Sequence, residues 1–155
     1  MENTMISEHF DIRELVHPDI FNHPAIGVRC KDFVHPEAAQ TLELIKRSTG
    51  DVITINDWQW KGQNASGKWL GYIDSGLRMP KGSVGAELSS HRFGCGFDLK
   101  FKNMSAQEAH AYILKHQYLF TNIVRMEAID KTPGWVHIEI GAERLPGVDI
   151  VVFNP

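Results

Sequence analysis

Two stretches that alternate apolar and polar residues, 121–129 and 135–140, flank the turn sequence Asp130-Lys131-Thr132-Pro133-Gly134. Alternation with a period of two marks a half-buried strand, and a short Pro-Gly segment between two such runs marks a hairpin. Val136, Ile138 and Ile140 share one face of the second strand, and Trp135, His137 and Glu139 share the other. The first strand has the same parity, with Val124, Met126 and Ala128 apolar and Arg125 and Glu127 polar. A hairpin folded about Thr132 sets Glu127 opposite His137. Directly opposed residues have Cβ atoms about 4.5–5.5 Å apart. The open face of the hairpin therefore brings a carboxylate beside an imidazole.

Other elements follow from local signals. A helix is expected over 36–48, with proline in its first turn, Gly50 at its stop and Ala38, Leu42 and Ile45 on one face. Residues 51–56 alternate and read as a strand, as do 69–73 and 98–102, where Leu99 and Phe101 share a face. Trp58 and Trp60 fall on one side of an extension of the 51–56 strand, and 57–68 and 78–90 read as loops. Ser105-Ala106-Gln107-Glu108 is a capping box that opens a helix running to about residue 117. A last strand is expected at 148–153. Residues 1–35 read as an irregular N-terminal arm with one short helix near 12–16, because His17-Pro18, His23-Pro24 and His35-Pro36 each push the chain out of helical geometry. Locally paired strands with separate helices define an α+β fold, expected as a single domain over 1–155 with a mainly antiparallel sheet.

Composition narrows the function. A net charge of -3 leaves no basic footprint for nucleic acid. No apolar run approaches the roughly 18 residues of a membrane span. The acidic start of the chain has no basic and apolar leader, so it reads as cytoplasmic when made. Cys30 and Cys95 read as reduced thiols. Eight histidines in 155 residues direct attention to metal chemistry. His91 and Asp98 bracket a bend that contains Gly94 and Gly96, and imidazole and carboxylate are both zinc ligands. With His137 they make three protein ligands, the pattern of a catalytic zinc site with an open position. Zinc lowers the pKa of water in that position to about 7, and a nearby carboxylate such as Glu127 can shuttle its proton. Arg78, after the turn Asp74-Ser75-Gly76-Leu77, is suited to bind a carboxylate through paired hydrogen bonds. Cys95, between two of these ligands, reads as a packed thiol. His110 and His116 share no helix face and read as outside any second site.

Three segments in this order resemble a known family: Ser75-Gly76-Leu77-Arg78, then Ser90-His91 with Gly94, Gly96 and Asp98, then Trp135-Val136-His137-Ile138-Glu139. They are similar to the M15 family of zinc peptidases, which includes D-Ala-D-Ala carboxypeptidases and phage peptidoglycan endopeptidases and shares its fold with the hedgehog signalling domain. The opening residues His9 to Val16 resemble the start of small members. The resemblance implies zinc on His91, Asp98 and His137, and Arg78 as the anchor of a substrate carboxylate or carbonyl with Ser90 near the same group; Trp135 is a further candidate substrate-binding residue. It implies hydrolysis of peptidoglycan stem peptides by a chain expected as a monomer. Cytoplasmic synthesis fits a phage lysis enzyme released through a holin-type pore. Three positions depart from the family pattern. Gly134 stands where many members carry an acid, Trp135 where others carry histidine, and Gly96 where the motif has alanine. The general base therefore has three candidates, Glu127, Asp130 and Glu139. The Gly134 departure also supports an alternative, a catalytically inactive zinc-containing module that binds cell wall or serves a phage structure.

Overall fold

In the computed structural model, residues 3–80 and 88–155 are described. Gly82 and Gly85, expected within a loop, lie outside the described residues. The helices are α1 (Ile12–Leu15), α2 (Pro18–Phe21), α3 (Ala38–Thr49), α4 (Trp58–Lys61) and α5 (Ala106–Lys115). Short 3-10 runs occupy Gly27–Phe33, Ser90–Phe93 and Gln117–Leu119. The strands are β1 (Ile53–Thr54), β2 (Gly96–Phe101), β3 (Ile123–Glu127), β4 (Val136–Ile140) and β5 (Val151–Phe153). They form one five-stranded sheet in the order β1-β2-β4-β3-β5. Every neighbouring pair is antiparallel except β3 and β5, which run parallel. The protein is thus α+β, with a mostly antiparallel sheet.

The hairpin register is the one expected from the sequence. Arg125 pairs with Glu139 and Met126 with Ile138, so the next step along the ladder carries Glu127 to His137. Val136, Ile138 and Ile140 are buried in the core. The β3 face is modified by a bulge between Ile123 and Arg125. An extra residue in one strand shifts the side chains beyond it to the other face. Ile123 and Met126 consequently enter the core and Val124 is left half-buried.

Helix signals were also legible. Ala38, Leu42 and Ile45 are all fully buried, each of the larger two worth about 1.5–3 kcal/mol of burial. Gly50 ends α3 in the left-handed region at φ 68°, where its N–H reaches the Lys46 carbonyl. Ser105 and Glu108 form both halves of the capping box on α5.

Four expectations are corrected. The segment 69–73 is no strand and makes only an isolated bridge from Trp69 to Gln63. Within it, Tyr72 instead donates its backbone N–H to the Asp57 carboxylate. The 51–56 strand shortens to Ile53–Thr54. Trp58 and Trp60 do not share a face, because 58–61 turns helical. Trp58 is buried and donates Nε1–H to the Val16 carbonyl, whereas Trp60 is exposed. The N-terminal arm is more ordered than the prolines suggested. Pro18 occupies the first turn of α2, and Phe10, Ile12, Leu15, Val16 and Cys30 are among its core residues.

Candidate metal centre

The site is assembled from the middle of the sheet. Asp98 on β2 pairs directly with His137 on β4. Side chains alternate along both strands, so Phe97, Leu99, Val136 and Ile138 fill the core while Asp98 and His137 share the opposite face. The His137 Nδ1–H donates to Asp98 Oδ1 at 2.8 Å. His91 arrives from the 3-10 turn just before β2, with its Nε2 3.3 Å from the same oxygen. The two rings lie 4.9 Å apart between centroids. His91, Asp98 and His137 are all buried, and each offers one donor atom within 4.8 Å of the others. Such a group can hold a metal ion.

Two glycines make this approach feasible. Gly94 ends the His91 turn at φ 70°, and a Cβ there would lie 1.9 Å from the Phe33 carbonyl oxygen. At Gly96 a Cβ would lie 2.2 Å from Ser90 Oγ. Without it, the Ser90 hydroxyl reaches to 3.3 Å from His137 Nε2. The missing side chain at Gly96 thus makes room for Ser90.

Outer partners orient the three side chains. The His91 Nδ1–H donates to the Gly76 carbonyl at 3.0 Å, since a carbonyl only accepts. That bond fixes the tautomer and leaves Nε2 facing Asp98, the arrangement common to metal-ligating histidines. Arg78 donates Nε–H to the Asp74 carbonyl at 2.6 Å, and its Nη2 lies 3.4 Å from Asp98 Oδ2. Burial opposes ionisation of Asp98, but hydrogen bonds from His137 and His91 hold its carboxyl far below the usual range. Burial likewise opposes charge on His137, yet Asp98 and Glu139 raise its imidazole to about 9. Without metal, this centre is a charge-stabilised ion-pair cluster.

A cavity of about 370 Å³ opens over the group. Arg78, Ser90, Glu127, Trp135 and Glu139 line it with His91, Asp98 and His137. Asp130 does not line it. It is exposed and lies 3.4 Å from Lys131. Glu139 is held below the ordinary carboxylate range by its hydrogen bond from His137, against burial and with help from Arg125 at 3.3 Å. Glu127 is half-buried, and among the described residues its carboxylate has no hydrogen bond or ion pair. Its backbone carbonyl lies 3.2 Å from His110 Nε2 on α5, which secures the end of β3.

Arg125 and Phe153 also line the cavity, with the guanidinium 4.1 Å from the ring centroid. Sequence reasoning placed Arg125 on the correct face but gave it no role. It missed Phe153 because the parallel pairing of Glu127 with Phe153 joins strands distant in the chain. Cys95 stays outside the metal group, its Sγ 3.4 Å from the Ser90 carbonyl, and Cys30 is buried, both as free thiols.

The fold and centre together define an α+β protein with a buried His-Asp-His group able to bind a metal ion. No protein-family model, no curated protein and no solved structure matches the chain. Among the described residues no helix is long and apolar enough to cross a membrane.

Proposed function

We propose that the protein is a zinc-dependent peptidase acting on peptidoglycan stem peptides. The observation that carries this reading is the His91-Asp98-His137 group at the base of a cavity that also presents Glu127 and Arg78. Two imidazoles and one carboxylate form a donor set suited to catalytic zinc. An ion held there supplies Lewis-acid activation of water and of a carbonyl. Glu127 then accepts a proton from water and returns it to the leaving amine. Its carboxylate is uncommitted, whereas Glu139 is tied to His137 and Arg125. Arg78 holds a substrate carbonyl or carboxylate, anchored from behind by the Asp74 carbonyl. Ser90 and Trp135 flank the reacting group. The resemblance of the three segments to zinc peptidases supports the substrate class.

The test compares zinc content and hydrolysis of purified peptidoglycan for the wild type, His137→Ala and Glu127→Gln. The wild type binds one equivalent of zinc and releases muropeptide fragments, and His137→Ala does neither. Glu127→Gln keeps its zinc and loses about 10²–10⁴-fold in rate. Full activity of a zinc-free protein, or of His137→Ala, refutes the reading. Zinc binding with no turnover in any of the three favours the inactive wall-binding module.

A further inference from the structure

The turn of the β3–β4 hairpin buries a threonine beside the site. Thr132 is 1% exposed, and among the described residues its Oγ1 has no hydrogen-bond partner. Most buried side-chain polar atoms are paired, because an unpaired one gives up its bonds to water and gains nothing in return. Other side chains that line the same cavity follow the rule. Ser90 reaches His137, Glu139 reaches His137 and Arg125, and Arg78 reaches the Asp74 carbonyl. Glu127 is half-buried and meets solvent. Thr132 has neither exposure nor partner, yet it lines the cavity over His91, Asp98 and His137. A hydroxyl left unpaired at a cavity wall is available to a group that enters.

Local structure holds Thr132 in that place. Its N–H donates to the Ile129 carbonyl at 3.3 Å, and its carbonyl accepts the Trp135 N–H at 3.2 Å. The second bond closes the turn Thr132-Pro133-Gly134-Trp135, and Pro133 at the second position presets the backbone. Both ends of this turn line the cavity. The Trp135 ring, 37% exposed, offers an apolar plate, and the hydroxyl both donates and accepts. With the Thr132 backbone bonded on both sides, the remaining freedom is in the side chain. Rotation about its Cα–Cβ bond turns the hydroxyl toward a ligand without moving the turn. A plate and a hydroxyl suit a peptide unit, which has a flat face and a carbonyl oxygen. An ionised carboxylate such as Glu127 only accepts, so it cannot serve that oxygen.

Resting on the peptidase reading above, we propose that the 132–135 turn is a recognition element of the cavity. The Thr132 hydroxyl donates to a carbonyl oxygen of the bound peptide flanking the bond cut, and Trp135 packs on the same stretch of chain. Thr132 is thus a substrate-binding residue, and its unpaired hydroxyl lowers the stability of the protein without substrate.

The experiment compares wild type, Thr132→Val, which keeps the shape and removes the hydroxyl, and Thr132→Ser, which keeps the hydroxyl. Urea midpoints are measured on zinc-free protein, and kinetics on zinc-loaded protein with a synthetic stem peptide. Thr132→Val unfolds at the same or a higher urea concentration than wild type, because replacing an unpaired buried hydroxyl by a methyl removes no bond. Its KM rises about fivefold with kcat nearly unchanged, the signature of one lost hydrogen bond in binding. Thr132→Ser keeps a KM close to that of wild type. A clear loss of stability in Thr132→Val means that the hydroxyl already serves the fold, and a wild-type KM means that the peptide does not use it. Either result overturns the proposal, as does a Thr132→Ser protein as weak in binding as Thr132→Val. All three leave the peptidase reading standing, since the wild type still turns over. Failure of zinc-loaded wild type to cut the peptide overturns both.

Discussion

The N-terminal His-Pro segment and the sheet centre use the same side chain in opposite ways. His17, His23 and His35 each precede proline, and each ring accepts through Nδ1 the backbone N–H two residues on, at 3.1 to 3.2 Å. The lone pair needed for a metal is spent on closing a turn. His91 reverses this arrangement. Its Nδ1–H donates to the Gly76 carbonyl and its Nε2 faces Asp98. The fate of Nδ1, set by which backbone group lies nearest, separates a turn-closing histidine from one whose Nε2 faces the group that could hold a metal. Histidine count says nothing about that distinction.

The sharpest break of the comparison is metal affinity. His91→Ala removes a donor whose orientation is built in by Gly76, and His23→Ala removes only an exposed turn contact. Loss of an outer partner alone costs metal sites about 10–100-fold, so loss of His91 itself weakens zinc binding by at least about a hundredfold. His23→Ala retains wild-type zinc affinity. Competition with a chelating dye measures both. Equal affinities in the two variants would erase the distinction between the regions.

Protonation provides the next test, on metal-free protein. The His137 imidazole is raised to about 9 in the folded chain, against about 6.5 when unfolded. A raised pKa stabilises the fold fully below the unfolded value, and this contribution is lost as pH climbs through 9. Asp98 is depressed, so its contribution is present above about 3.9 and is lost as pH falls through its folded value. The contribution of this pair to metal-free stability is therefore largest between about pH 4 and 6.5 and falls toward pH 9, by at most about 1.4 kcal/mol per pH unit. Zinc displaces protons from its ligands, so saturating zinc opposes this alkaline loss. Urea titrations across the range, with and without zinc, read the slope. A flat alkaline limb without metal contradicts the ion-pair cluster at Asp98.

Much of this centre was legible in the sequence, and the boundary has physical causes. The hairpin register followed from the alternation of residues and the place of Thr132, because a one-residue slip would turn every core residue of β4 outward. The capping box and Gly50 were equally local signals. What failed depended on distant contacts. The Trp69 segment alternates like a strand, but Asp57 captures the Tyr72 N–H that a ladder would need. Trp58 leaves its expected face to reach the Val16 carbonyl. Phe153 meets Glu127 only through the parallel β3–β5 pairing, and Lys100 reaches Ile55 across the β1–β2 pair. The order of the N-terminal segment was hidden because its turns are closed by histidine rings. Proline removed helix geometry at three points, and the preceding imidazole restored a defined turn at each.

The smallest effect lies within that segment and separates its own histidines. His17 is buried and caps α2 with its ring, whereas the His23 and His35 turn contacts are exposed. A net intramolecular hydrogen bond is worth about 0.5–1.5 kcal/mol, and a helix cap about 1 kcal/mol. His17→Ala also leaves a gap beside Asp74, whose Oδ1 lies 3.9 Å from the His17 Nε2. It therefore lowers stability by about 1–2 kcal/mol, and His17→Asn, which keeps an acceptor near the Asp19 N–H, recovers part of the loss. His23→Ala costs about 0.5 kcal/mol or less, because water replaces its bond. Denaturant midpoints of the three variants rank these costs. A His23 loss as large as that of His17 would mean that the turn itself, and not burial of the capped helix, sets the stability of this segment.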